Sequence, residues 1–190
     1  HVRSRRQRQM CIRDSQHGEE IARNVRSRLY NMPGMDSFFD VYDIPAGLHF
    51  QKVLIHKVRV SAMVAIHTDS YSSREWCRRE IIEAKRWHVP LVVANSISDI
   101  DERGFPYMGN VPVVRLEPGG ADRIDFVIAR LLDEVLKNFL WRCRIALEIS
   151  DESLDPSVIF VPRPPELISL ASLPSESELP LSLIHISEPT

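Results

Sequence analysis

Glu80 is the carboxylate of this chain whose setting invites chemistry. It stands in the run 61–87, SAMVAIHTDSYSSREWCRREIIEAKRW, which reads as a buried strand, a short polar loop and a well-started helix. Neighbouring acids have structural tasks to perform. Glu75 suits the helix start, and Glu83 can pair with Arg79 one turn earlier. Glu80 has no such task. It lies one turn beyond Trp76, close to where the preceding strand ends, and open α/β sheets bind ligands outside the carboxyl ends of their strands. A carboxylate beside an aromatic at that place can work on a bound ligand. Judged by spacing alone, a solvated helix carboxylate is the more economical reading.

The elements that must position Glu80 are legible around it. Ala62–Ile66 is a short apolar run of the kind covered on both faces of a sheet. Thr68–Ser73 is the connection, and Ser72 with Glu75 three residues on gives a capping box with Ser72 as N-cap. Cys77, Ile81 and Ala84 fall at i, i+4 and i+7, a face that packs on the sheet. Trp76, Glu80, Glu83 and Trp87 occupy an adjoining stripe.

Outside this stretch, strands and helices alternate. Ile21, Val25 and Leu29 mark a first amphipathic helix, with Arg23, Arg26 and Arg28 outward, and Asn31–Gly34 breaks it. Ser37–Val41 reads as a strand, Asp43–Gly47 as a Pro/Gly turn, and a helix follows to about Val58. Pro90–Asn95 and Val111–Leu116 are further strands, separated by a loop long enough to rim a site. A long helix is expected over Ala121–Ile149, with Ile124, Ile128, Leu131, Leu132, Val135 and Phe139 as its apolar stripe and its far half packing on something further. Ser157–Val161 reads as another strand, and the Pro- and Ser-rich residues 162–180 as a linker. The implied fold class is α/β, a flavodoxin-like open sheet of five parallel strands with helices on both faces.

Composition bounds the function. The 190 residues, 44% hydrophobic and 26% charged, suit one globular domain with some excess. No apolar run reaches the length of a membrane span. The three cysteines, Cys11, Cys77 and Cys143, show no paired metal spacing, which together with the lack of a secretory signal points to a reduced, cytoplasmic setting. The seven histidines are scattered, and His49 and His56 read as solvated or rim residues. No metal site is expected. Residues 1–15 hold five Arg and one Asp, a net +4, so the remainder falls from −2 to −6, which argues against a nucleic-acid surface.

The segment SSREWCRREII resembles the W-C-x-x-E helix of Toll/interleukin-1 receptor (TIR) domains. Upstream, SFFDVYDIPAGLHFQKVLIHKVRVSAMVAIHTDSY looks like that family's second strand, its BB loop (Asp43–Gly47), its second helix and its third strand. VPLVVANSI and VPVVRLEP look like strands four and five. The resemblance runs over about residues 17–140 and is nearest to bacterial members. It implies hydrolysis of NAD+ at the nicotinamide–ribose bond, with NAD+ as substrate and no other cofactor. By it Glu80 is the catalytic glutamate and Trp76 the aromatic beside it. Asp43, Gly47, Asp69 and Ser70 would form the remaining wall. The resemblance also implies partners in other TIR domains, activation by self-association in bacterial defence signalling, and as the alternative a non-catalytic adaptor module. A linear or a cyclic ADP-ribose product fits equally. A phosphoacceptor receiver domain shares the architecture, but it needs an acidic cluster after the first strand and a Lys after the fifth, where Arg115 stands.

Both ends, 1–15 and 181–190, resemble translated sequencing-adapter read-through. The resulting division is a non-native segment at 1–15, a TIR domain at 16–140, then a helix end, linker and truncated second domain at 141–180. TIR domains open with a central buried strand, and RSRRQRQMCIRDS, with its alternating arginines, cannot serve as one without stranding charges. The first strand is therefore expected to be missing or replaced, leaving the sheet gapped.

Overall fold

The computed structural model describes residues 16–33, 61–69, 71, 74–98, 106–117, 123–149, 160–164, 166 and 168. Within them the chain runs α1 (Gln16–Tyr30), β1 (Met63–His67), α2 (Glu75–Arg86), β2 (Leu91–Asn95), a single 3-10 turn (Pro106–Met108), β3 (Val113–Arg115) and α3 (Ile124–Ile149). The three strands form one parallel sheet in the order β1-β2-β3. Such pairs need a crossover between strands, and α2 supplies it between β1 and β2.

β2 is the centre of the sheet and reads as the centre should. Leu91, Val92, Val93 and Ala94 are all buried, because both faces are covered. Alternation then sorts its side chains between two layers. Leu91 and Val93 join Ala65, Ile81, Ala84, Val89 and Val111 beneath α2. Val92 and Ala94 join Ile21, Val25, Leu116, Ile124, Val127 and Ile128 beneath α1 and α3. Each fully buried aliphatic side chain here contributes about 1.5–3 kcal/mol over leaving it in water. The chain is thus an α/β layered structure with helices on both faces of a parallel sheet. The expected strand at Ser37–Val41 and the segment before Gln16 lie outside the described residues, as does most of Ser157–Val161.

Local chemistry explains the element ends. α1 carries an Arg23–Glu19 pair of 2.7 Å one turn apart and stops at Met32 and Pro33. Its buried face is Ile21 and Val25, as the spacing predicts, whereas Arg26 is half-buried instead of outward. α2 ends in a Schellman motif: His88 N–H donates to the Lys85 carbonyl at 3.1 Å and Val89 N–H to Ala84 at 2.8 Å. His88 takes the left-handed backbone this motif requires, with φ 52°. α3 is 26 residues long. Its first turns bury Ile124, Val127, Ile128 and Leu131, but the expected continuation of that stripe does not hold, since Leu132, Val135 and Phe139 are exposed. The contact side of the helix instead follows Glu134, Asn138 and Trp141: Asn138 Nδ2 donates to the His88 carbonyl at 2.9 Å, and the Trp141 ring tilts against His88.

Residues after the long helix return to this corner. Arg163 reaches the buried Glu134 at 2.7 Å, and Lys85 reaches Glu166 at 2.6 Å. A shallow hollow opens between Lys85, His88, Arg163 and Glu166.

Candidate functional site

The carboxyl end of β1 gathers polar groups that the apolar strand carries inside. β1 alternates, so Met63, Ala65 and His67 share the face that looks toward α2. His67 is therefore buried at the strand's last position, and Thr68 beside it is buried too. The backbone at this point is tied across the sheet: Ser96 N–H donates to the His67 carbonyl at 2.8 Å. The chain then turns tightly, with Tyr71 N–H donating to Thr68 at 2.9 Å and Arg74 N–H to Tyr71 at 3.2 Å. This double turn carries the Tyr71 ring back under α2, where it meets His67 edge to face with centroids 5.6 Å apart.

α2 sets Glu80 against this group. Ile81 and Ala84 are fully buried and Cys77 packs beside them, which fixes the rotation of the helix on the sheet. That rotation leaves Glu80 half-buried, with its charge within reach of Tyr71. Burial first, then the Glu80 carboxylate, then Cys77 hold the Tyr71 phenol well above its ordinary pKa. Tyr71 is thus a neutral hydroxyl throughout the physiological range, and Glu80 stands near an aromatic cluster in a partly desolvated position, where its charge acts more strongly than in open water.

The helix start differs from expectation. The N-cap is Arg74, in extended backbone and with no side-chain capping bond, so Ser72 is not the cap. Glu75 opens the helix and pairs with Arg79 on its outer face, while Glu83 pairs with Arg86 and accepts from Trp87 Nε1 at 3.2 Å. The double turn places the chain at Arg74 before the helix begins, which displaces the cap from Ser72. Glu75 and Glu83 thus both have ion-pair partners on α2, Arg79 and Arg86.

Of the other expected site residues, Asp69 is exposed on the turn after β1, and its Oδ1 accepts from Ser98 N–H at 2.8 Å. It ties the loop after β1 to the loop after β2, and Asn95 Oδ1 steadies the latter through Ile97 N–H at 3.2 Å. Trp76 lies on α2, and its side chain is outside the described residues, as are Ser70, Asp43 and Gly47. Sequence reasoning passed over His67 and Tyr71. The signal was present, because extending the strand by one residue puts His67 on the same buried face as Ala65.

Among the described residues no group of three or more His, Cys, Asp or Glu is arranged to hold a metal, and no helix is long and apolar enough to cross a membrane. Comparison with protein-family models, with curated proteins and with solved structures gave no match.

Proposed function

We propose that this chain is a TIR-type NAD+ hydrolase in which Glu80 acts on the ribose next to the nicotinamide. The observation that carries the reading is Glu80 itself: a half-buried carboxylate on the helix after β1, near the carboxyl end of a parallel strand. The remainder rests on the resemblance of SSREWCRREII to the family's glutamate helix. The finer architecture belonging to this reading is a flavodoxin-like sheet of five strands, of which β1, β2 and β3 are the third, fourth and fifth. A cytoplasmic location and a part in bacterial defence go with it.

The chemistry suits a single carboxylate. As the N-glycosidic bond breaks, the cationic nicotinamide leaves as a neutral molecule and its positive charge passes to the ribose. Glu80 stabilises that oxocarbenium character and holds the ribose hydroxyls. Water then adds at the vacated carbon and releases one proton, giving ADP-ribose; an internal nucleophile of the same molecule would give a cyclic isomer. The aromatic surroundings lower the local dielectric and strengthen the interaction between carboxylate and cation. Asp69, Ser70, Trp76, Asp43 and Gly47 are the proposed remaining walls.

A second reading, a non-catalytic TIR interaction module, is favoured by a separate observation: the distal half of α3 exposes a row of large apolar side chains. Incubating the protein with NAD+ and measuring free nicotinamide separates the two. Release of nicotinamide with ADP-ribose or its cyclic isomer supports the enzyme, whereas intact NAD+ across concentrations at which the protein self-associates supports the module. Phosphodonor labelling of Asp69 would instead indicate receiver chemistry.

A further inference from the structure

The segment 160–166 comes back to the body after α3 and touches two helices. Two side-chain ion pairs hold it: Arg163 to Glu134 on α3 at 2.7 Å, and Glu166 to Lys85 on α2 at 2.6 Å. Pro162, Pro164 and Pro165 fall within it. Proline has no N–H to add to a ladder, and its fixed φ leaves little freedom to lose on docking. Such a segment is suited to seating and leaving as a unit.

The charges that receive it are provided for in either state. Lys85 Nζ also donates to the Gly109 carbonyl at 2.7 Å. Glu134 has Arg130 at 3.6 Å and Lys137 at 3.8 Å, one turn to either side on its own helix. Departure of the segment therefore strands neither a buried cation nor a buried carboxylate, the outcome that makes most buried ion pairs costly to open.

His88 lies beneath the segment. Pro162, Arg163, Pro164 and Glu166 enclose with Lys85 and His88 a hollow of about 40 Å³, room enough for water to reach the imidazole. His88 is half-buried there, at the left-handed end of α2, with its ring against Trp141. We propose that residues 160–166 form a reversible strap across α2 and α3, shed when His88 takes up a proton.

Charge and burial set the direction. The charged groups around His88 are Lys85 from α2, Glu134 and Arg142 from α3, and Arg163 and Glu166 from the strap. The two ion pairs cancel, so Arg142 leaves a positive surplus that opposes an imidazolium. With the strap docked, burial first, then Arg163, then Arg142 hold His88 below its ordinary pKa. Undocking removes Arg163 and the cover of Pro162 and Pro164. The open form therefore binds the proton first as pH falls, and docking, complete above about pH 6.5, weakens below it. This device lies at the far end of α2 from the strand end that Glu80 serves, and it does not depend on the reading of Glu80.

Hydrogen exchange of the full chain, followed by mass spectrometry and corrected for the intrinsic rate at each pH, tests the strap without NAD+. Exchange across residues 160–168 should rise at least about threefold between about pH 7.5 and pH 5.5. His88→Asn, which suits the left-handed backbone at that position, should keep the strap protected at both values. Arg163→Gln should open it at both, and in that variant the His88 imidazole, followed by NMR, should titrate closer to its ordinary pKa. Exchange indifferent to pH, a pH response that survives in His88→Asn, or a strap still protected in Arg163→Gln would overturn the proposal.

Discussion

The Tyr71 ring stands edge-on to His67, its centroid 5.6 Å away and its plane at 88° to the imidazole. Both residues are buried at the carboxyl end of β1, and the charge of Glu80 on α2 acts on Tyr71 electrostatically. A strand end, a tight turn and a helix thus converge on three side chains that an apolar core does not call for. Their placement follows from the alternation of β1 and from the packing of Ile81 and Ala84.

Tyr71 makes the fold sensitive to alkali. Its folded pKa lies above the ordinary value near 10 because burial and the Glu80 charge oppose ionisation. The unfolded chain loses this proton first as pH rises, so the folded state binds more protons above pH 10 and stability falls there. The contribution is complete below about pH 10. Urea melts at pH 8 and pH 10.5 should show a larger loss for the wild-type protein than for Tyr71→Phe.

His88 works in the opposite direction at the other end of α2. Burial first, then Arg163 and Arg142, lower its pKa below 6.5. The unfolded chain therefore takes up the proton first on acidification, and stability declines as pH falls below about 6.5. Asn is the informative substitute, because it tolerates the left-handed backbone that His88 adopts while removing the imidazole. His88→Asn should flatten the acid side of the stability profile between pH 7 and pH 5, read from thermal melts. An unchanged slope would assign the acid sensitivity to other groups.

The two layers of the core should respond separately. Ile81 and Ile128 are both fully buried, on opposite faces of the sheet. Each truncation to Ala should cost about 2–5 kcal/mol. Because the two sites share no cluster, the double variant should lose nearly the sum. A large deficit from additivity in chemical denaturation would mean that the layers unfold in separate steps.

The periodic elements were legible in the sequence, and the particular joins were not. The face of Cys77, Ile81 and Ala84, the apolar run of β2 and the α1 face of Ile21 and Val25 follow from spacing that local geometry enforces. The N-cap was misread because a Ser-x-x-Glu pattern states only an opportunity, and the turn through Tyr71 starts the helix at Glu75 instead. Glu134 is a buried carboxylate on α3 that has Arg130 and Lys137 one turn to either side, but its shortest pair is with Arg163 from another part of the chain, a contact that no helical period could announce. The left-handed residue closing α2 is a histidine and not the glycine that usually marks such an end. At the candidate site, Glu80 was visible by elimination among its acidic neighbours. His67 went unnoticed because a strand read one residue short left it in the loop.

The central claim concerns what Glu80 does, and nicotinamide release from NAD+ by the wild-type chain and by Glu80→Gln, at equal concentration, tests it most directly. Glutamine keeps the shape and the helix while removing the charge. The account predicts turnover by the wild type and a loss of at least about a hundredfold in the variant, with both proteins melting alike. Equal turnover by the two proteins, or none by either, would contradict it.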